Sequence, residues 1–199
     1  MKKKLKNILV FGLLLYGAPL HGQSNYIMAG DHSFIIRGSS NIRDWSESAN
    51  DADGIASISI TDEKHFDIDE VRILIRANQI KSMDVEGNVM NKKIYETLKA
   101  DQYPTITFIV ISTARSVAMD GEKHFIEARG ILKIAGVSRI IRLHPAISAE
   151  EPEKINIEGD AFLKMSDFDI KPPFALFGLL RVNDDLTVHF KISLIPDFN

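Results

Sequence analysis

The chain has 199 residues, which is enough for one domain with a substantial apolar core. It contains no cysteine, and this excludes disulfides, thiol chemistry and a lipid anchor attached through cysteine. Asp and Glu (27) outnumber Lys and Arg (24), so the composition argues against a nucleic-acid partner, because such partners require strongly basic surfaces.

The first 22 residues have the order of a secretory signal peptide. Lysines crowd residues 2–6, an apolar run covers residues 8–15, and small or polar residues follow up to Gly22. The apolar run is shorter than the ~20 residues that a membrane span needs. We therefore predict a signal peptide over residues 1–22, a domain over residues 23–199 that is exported to the periplasm or secreted, and no transmembrane segment.

Apolar and polar residues alternate along eight segments of the remaining chain, which is typical of half-buried β-strands. The predicted strands are residues 33–38, 54–60, 70–77, 105–113, 124–135, 139–147, 154–164 and 186–195. One-sided alternation of this kind favours an antiparallel sheet. Clusters of Gly, Asn and Asp predict turns at residues 50–54, 120–121 and 183–185.

Residues 88–100 have helical spacing instead. Met90, Ile94 and Leu98 recur at intervals of four residues, Asn88 is a candidate N-cap, and Pro104 limits any continuation. We therefore predict a short amphipathic α-helix over about 88–100 that lies against the sheet.

Eight antiparallel strands leave two free edges unless the sheet closes, so the sequence predicts an all-β, eight-stranded barrel. The predicted inward faces mix large side chains such as Phe34 and Phe108 with small ones such as Ala128 and Gly159. Such a mixture fits either a barrel with room for a ligand or a barrel filled by its own side chains. A two-sheet sandwich is a third arrangement consistent with the pattern.

Four stretches resemble the YceI-like family, in the shorter form common in exported proteins of the Bacteroidetes type. They are residues 38–45, 83–108, 130–141 and 163–182, and the resemblance covers about residues 24–195. It implies a lipocalin-like antiparallel barrel whose apolar channel holds a polyisoprenoid or another long-chain amphiphile. The family's longer form has an Arg-Asp-x-His-Leu stretch before the helix, whereas residues 83–90 here contain no His, so any head-group contact by that stretch does not carry over.

The resemblance and the alternation together predict an exported carrier that is not an enzyme, needs no cofactor and no metal, and forms a possible homodimer. Alternation assigns the cavity lining to ten inward positions: Phe34, Ile36, Ile58, Ile60, Ile73, Ile75, Phe108, Val110, Phe190 and Ile192. Three further aromatic residues are predicted to line or plug the ends of the barrel: Trp45, Phe168 and Phe174.

Two alternative functions stay open at this point. A filled barrel would suit an interaction or envelope-stress protein, and a hydrolase acting on an apolar substrate would need polar catalytic groups. Asp167 and Asp169 are candidates for acid–base work, although Ser166 beside them equally predicts a capped turn. Trp45 is either a lid at the barrel mouth or an ordinary core aromatic. The histidines are scattered without metal-ligand spacing.

Overall fold

The structure is a computed structural model of the chain. It describes residues 24–60, 65–84, 87–114, 116–118, 123–151, 154–175 and 179–198. The predicted signal peptide and the predicted turn at 120–121 lie outside the described residues.

The described residues form fifteen strand segments and one α-helix. The strands are β1 (Ser24–Met28), β2 (Ser33–Ser40), β3 (Asp44–Ser48), β4 (Ala52–Ile60), β5 (Phe66–Arg76), β6 (Lys81–Ser82), β7 (Thr105–Thr113), β8 (Val117–Ala118), β9 (Lys123–Phe125), β10 (Ala128–Ile134), β11 (Val137–Leu143), β12 (Ala146–Glu151), β13 (Lys154–Lys164), β14 (Phe174–Ala175) and β15 (Leu180–Pro196). The helix is α1 (Gly87–Leu98).

Short irregularities divide longer strands into these segments. For example, β1 and β2 pair in succession with the same side of β15, at Ile27–Ile195 and Phe34–Phe190. In the same way β3 leads into β4, β9 into β10, and β11 into β12 after a few residues, whereas a 3₁₀ turn, Ala77–Gln79, separates β5 from β6. The count of fifteen therefore exceeds the predicted eight because bulges interrupt long strands and because the sequence pattern missed β1 and β3.

All the pairings between described strands are antiparallel, and several join strands that are consecutive in the chain, such as β2 with β3, β4 with β5 and β10 with β11. Because β15 pairs back with β1 and β2, the sheet curls into a barrel. The all-β antiparallel barrel class, with a single α-helix, is confirmed. A two-residue turn joins β10 to β11, and both of its residues, Ala135 and Gly136, have the positive φ that a tight hairpin turn requires.

The backbone ladder is incomplete between β11 and β13, at a place that we call the seam. β12 pairs with the first half of β13, at Ile147–Ile157, whereas among the described residues β11 pairs only with β10. A 3₁₀ turn, Met165–Phe168, contacts both β11 and β13 there. We call it the seam turn, and its buried Met165 and Phe168 pack with Ile141 and Leu163.

The helix begins one residue earlier and ends two residues earlier than predicted. Asn88 lies inside its first turn, so the predicted N-cap role is wrong. Lys99 adopts a left-handed conformation, and the Ala100 N–H donates to the Tyr95 carbonyl at 2.9 Å, which ends the helix. The Asn91 side chain accepts a hydrogen bond from the Ser82 N–H at 2.7 Å and thereby holds the helix beside β6.

Two predicted turns are wrong. Residues 52–54 belong to β4, and residues 183–185 lie inside β15. In both cases the polar residues mark an irregularity within a long strand and not a chain reversal. The Asn50 side chain, for example, accepts the Phe34 N–H at 2.9 Å and satisfies a backbone donor where the β2–β3 ladder ends.

Candidate functional site

The barrel interior has two halves that differ in packing. One half, which we call the closed half, contains side chains that are at most 1% exposed: Ile58, Ile126, Ile147, Ile155 and Leu194. Side chains buried to this degree leave no room beside them for a water-sized probe. This half is therefore a filled hydrophobic core.

The other half, which we call the open half, is also apolar but keeps accessible surface. Its inward side chains pack against the main core yet are only half-buried: Ile36, Ile75, Ile106, Phe108, Val110, Ile141, Leu163 and Val188. Residues that pair directly across neighbouring strands point to the same face of the sheet. Ile36 pairs with Val188, and Val188 pairs with the buried Ala161, so all three point into the barrel. Inward side chains that keep accessible surface border space that the protein does not fill.

Nine of the ten predicted lining residues lie in one core cluster. Phe34, Ile58, Ile73, Phe190 and Ile192 are buried in it, and Ile36, Ile75, Phe108 and Val110 belong to the open half. The tenth, Ile60, lies at the barrel rim and is 39% exposed. Whether these side chains contact a ligand stays a prediction.

The three predicted end aromatics lie in different surroundings. Trp45 is half-buried over Gly38, and its indole N–H donates to the Ser39 carbonyl at 3.1 Å. Phe168 is 2% exposed and packs against Ile141 and Leu163 at the seam, whereas Phe174 on β14 is 70% exposed. The structure therefore brings Trp45 and Phe168 to the open half of the barrel and leaves Phe174 outside it.

A half-buried carboxyl was missed by the sequence analysis. Glu47 lies on β3, where it pairs with Ile36 of β2 and Ser82 of β6, so its side chain shares the inward face. Burial, and then the negative charge of Asp84, raise the pKa of Glu47 to about 7. Trp45 and Glu47 occupy alternate positions on the inward face of β3, and a carboxyl at the second of them interrupts the apolar alternation by which a strand is recognised.

A groove of about 700 Å³ crosses β3, β2, β15 and β13 at the end of the barrel that carries Trp45. Its lining includes inward residues such as Leu163 and Leu186 together with outward residues such as Phe162 and Thr187. This groove is a second place where an apolar chain could lie, and the experiments below separate it from the open half.

Comparison with known proteins decides the family. The model of the YceI-like domain matches residues 26–194, which is most of the chain. The chain belongs to the YceI-like family. No curated protein matches it.

Solved structures share the YceI-like fold of this chain. A polyisoprenoid binding domain from Saccharophagus degradans, implicated in plant cell wall breakdown, matches with a TM-score of 0.64 at 13% identity, covering 88% of this chain and 100% of that one. BcnA from Burkholderia cenocepacia matches with a TM-score of 0.59 at 15% identity, over 81% and 95% of the two chains. The YCEI protein of Campylobacter jejuni matches with a TM-score of 0.51 at 23% identity, over 67% and 75%. At these identities the likeness shows the fold.

Asp167 and Asp169, which follow β13 in this YceI-like chain, belong to the seam turn and its C-terminal cap. The Ser166 N–H and hydroxyl donate to the Asp184 carboxylate at 2.8 and 2.5 Å, and these bonds lower the pKa of Asp184. Asp169 adopts a left-handed conformation, and its N–H donates to the Ser166 carbonyl. Asp167 and Asp169 are exposed, and within the described residues no hydrogen bond or ion pair joins them to each other.

Two further observations concern ligands and membranes. Among the described residues, no three His, Asp or Glu side chains are grouped so that they could hold a metal ion. None of the helical segments that the structure describes has the length and apolar character of a membrane span.

Proposed function

We propose that this YceI-like protein is a non-enzymatic carrier that holds a polyisoprenoid or another long-chain amphiphile in the open half of its barrel. The observation that carries the proposal is the contrast between the two halves. Both are apolar, and Met28, Ile68 and Ala149 are half-buried beside the closed half. Most of the half-buried inward side chains, however, such as Ile36 and Val188, lie in the open half. An apolar chain that entered there would cover this surface.

The energy of such binding is sufficient without polar contacts. Burial of one CH₂ group contributes about 0.8 kcal/mol, so a five-carbon isoprene unit contributes roughly 3 kcal/mol. Three or four units contribute about 10 kcal/mol before the costs of ordering and immobilisation, which remove several kcal/mol. About 5–7 kcal/mol then remains, which corresponds to a dissociation constant of roughly 10–200 μM from the tail alone. Discrimination between tail lengths is expected to be weak.

The shared fold supports the same ligand class. The Saccharophagus degradans structure with this fold is described as a polyisoprenoid binding domain. A carrier role also agrees with export, which we propose from the signal-peptide pattern of residues 1–22.

Organic extraction followed by mass spectrometry tests the proposal. The chain is expressed with its N-terminal segment, purified from the exported fraction and extracted with chloroform and methanol. We expect a stoichiometric isoprenoid or long-chain amphiphile, and we expect the delipidated protein to rebind added geranylgeraniol. If the extract holds no such compound and the delipidated protein binds no prenyl chain, the carrier proposal is wrong and the filled-barrel interaction protein takes its place.

A further inference from the structure

The inward face of β3 carries a carboxyl group for which the described residues provide no partner. Glu47 is half-buried, and among the described residues no hydrogen bond or ion pair to its side chain is formed. Its surroundings on the inward face are the apolar Ile36, the half-buried Trp45 and the buried Ala49. Because the described residues provide no partner and the side chain keeps accessible surface, its hydrogen bonds have to come from water or from a ligand.

The neighbouring charges decide what can satisfy it. The negative charge of Asp84 acts on Glu47. Asp84 forms an ion pair with Arg43 at 3.5 Å, and its backbone N–H donates to the Ser82 hydroxyl. The groove at this end of the barrel carries the further acids Asp44, Asp167 and Asp185 against the bases Arg37 and Lys164. Acidic residues therefore outnumber basic ones along this groove, and an excess of negative charge opposes an anionic group.

The chemistry of a carboxyl favours an alcohol over other neutral or charged head groups. An ionised carboxylate accepts a hydrogen bond from a hydroxyl, and a protonated carboxyl both donates to it and accepts from it. An ionised phosphate has no hydrogen to donate to an ionised carboxylate, and the two negative charges repel each other. An ammonium pairs with a carboxylate, but bringing both charges into an apolar chamber carries a larger desolvation cost than bringing in a hydroxyl.

We infer that Glu47 binds the polar end of the ligand, and that this end is an uncharged hydroxyl and not an anionic phosphate. The inference rests on the proposed carrier function, because it assumes that an apolar tail occupies the open half. It assigns the ligand class as long-chain alcohols, and it makes Glu47 the residue that sets head-group specificity.

Arg139 is the cation that a phosphate would use instead. It pairs with the buried Leu132, so it occupies an inward register position on β11 beside the seam. Its side chain is exposed, however, and its guanidinium donates to the neighbouring Ser138 carbonyl at 3.1 Å. It lies on a different strand from Glu47, so substitution of each residue separates the two modes of recognition.

Titration with ligands that share one tail tests the inference. Geranylgeraniol, geranylgeranyl phosphate and geranylgeranylamine are each titrated into the delipidated full protein at pH 8 by isothermal calorimetry. We expect the alcohol to bind about tenfold more tightly than the phosphate, since one hydrogen bond to a charged group is worth roughly that factor. We also expect the amine to bind no more tightly than the alcohol.

Variants identify the group responsible. Glu47→Gln keeps an acceptor and loses the charge, so it should bind the alcohol within about threefold of wild type and bind the phosphate more tightly than wild type does. Glu47→Leu should lose the preference for the alcohol over the phosphate. Glu127→Gln, on the exposed outer face, is the matched control and should behave as wild type, and thermal melts confirm that each variant is folded.

The outcomes separate the two levels of the proposal. Three results would overturn the head-group inference and leave the carrier function standing. The first is equal binding of all three compounds, and the second is tighter binding of the phosphate or the amine than of the alcohol. The third is a phosphate affinity that falls in Arg139→Gln and does not change in Glu47→Gln. Failure of every prenyl compound to bind overturns both.

Discussion

The indole ring of Trp45 lies over Gly38, in the space that a β-carbon at residue 38 would occupy. The two residues are paired across β2 and β3, so the glycine allows the largest side chain of the protein to lie flat on the neighbouring strand. Trp45 then packs with the second core cluster, which includes Phe168 of the seam turn. This arrangement closes one side of the open half and places the indole N–H at the Ser39 carbonyl.

Replacement of Gly38 by alanine should therefore displace the indole. We expect Gly38→Ala to lower the free energy of unfolding by about 1–3 kcal/mol, the usual cost of overpacking, and to shift the tryptophan emission. Gly30→Ala is the control, because a β-carbon at Gly30 would meet nothing within 4 Å. Urea unfolding followed by fluorescence measures both variants, and equal stabilities of the two would contradict the packing described here.

A larger side chain inside the open half should block the ligand. Val188→Phe points inward beside Ile36, so we expect it to weaken prenyl-alcohol binding at least about tenfold while costing little stability, because space is available there. Thr187→Phe is the matched control on the same strand, since it faces outward into the groove. Calorimetric titration of both variants decides the location, and a loss of binding confined to Thr187→Phe would place the ligand in the outer groove.

The stability of the protein should depend on the titration of Glu47. Its pKa is about 7 in the folded state, against an ordinary 4.5, so the folded protein retains a proton between these values that the unfolded chain has released. The free energy of unfolding therefore falls as the pH rises through this window, and the loss is complete above pH ~7.

We therefore expect Glu47→Gln to be more stable than wild type at pH 8, by on the order of 2 kcal/mol, and to be nearly equal to it at pH 4.5. Urea unfolding at the two pH values measures the difference, and Glu127→Gln controls for the removal of one carboxylate. A stabilisation by Glu47→Gln that is the same at both pH values would show that Glu47 is not buried as described.

The bond between Asp184 and Ser166 should hold the seam turn in place. Because this bond lowers the pKa of Asp184, its stabilising effect is present above the ordinary pKa of 3.8 and is lost as the pH falls through the folded-state value. We expect Asp184→Ala to speed hydrogen exchange at the amides of Asp169 and Ile170, which donate to carbonyls of the turn. Asp185→Ala, at an exposed neighbouring position, is the control. Identical exchange rates in the two variants at pH 7 would refute this role.

Much of the barrel could be predicted from local alternation. Residues 186–195 of β15 have apolar residues on one face throughout, and the predicted inward residues Phe190 and Ile192 lie in the core cluster. β3 was missed because its inward face carries Trp45 and Glu47, so that the segment Asp44–Ser48 has no apolar alternation to detect. The turn residues around Asn50 misled the prediction because bulges use the same residue types as chain reversals.

The division of the interior could not be predicted from the sequence. Ile58 and Ile36 have the same alternation and the same side-chain type, yet one is fully buried and the other keeps accessible surface. The difference depends on which side chains meet across the barrel, and those contacts join residues that are far apart in the chain. Alternation assigns a face, whereas the space left inside depends on packing.

Isotope-filtered nuclear Overhauser spectroscopy of the protein with ¹³C-labelled geranylgeraniol gives the most direct test of where the ligand lies. If the open half is the binding chamber, cross-peaks will join the isoprenoid methyl groups to Ile36, Ile75 and Val188, while Ile126 and Ile155 of the closed half will show none. Cross-peaks confined to the outer Phe162 and Thr187, or no intermolecular cross-peaks at all, would contradict binding inside the barrel.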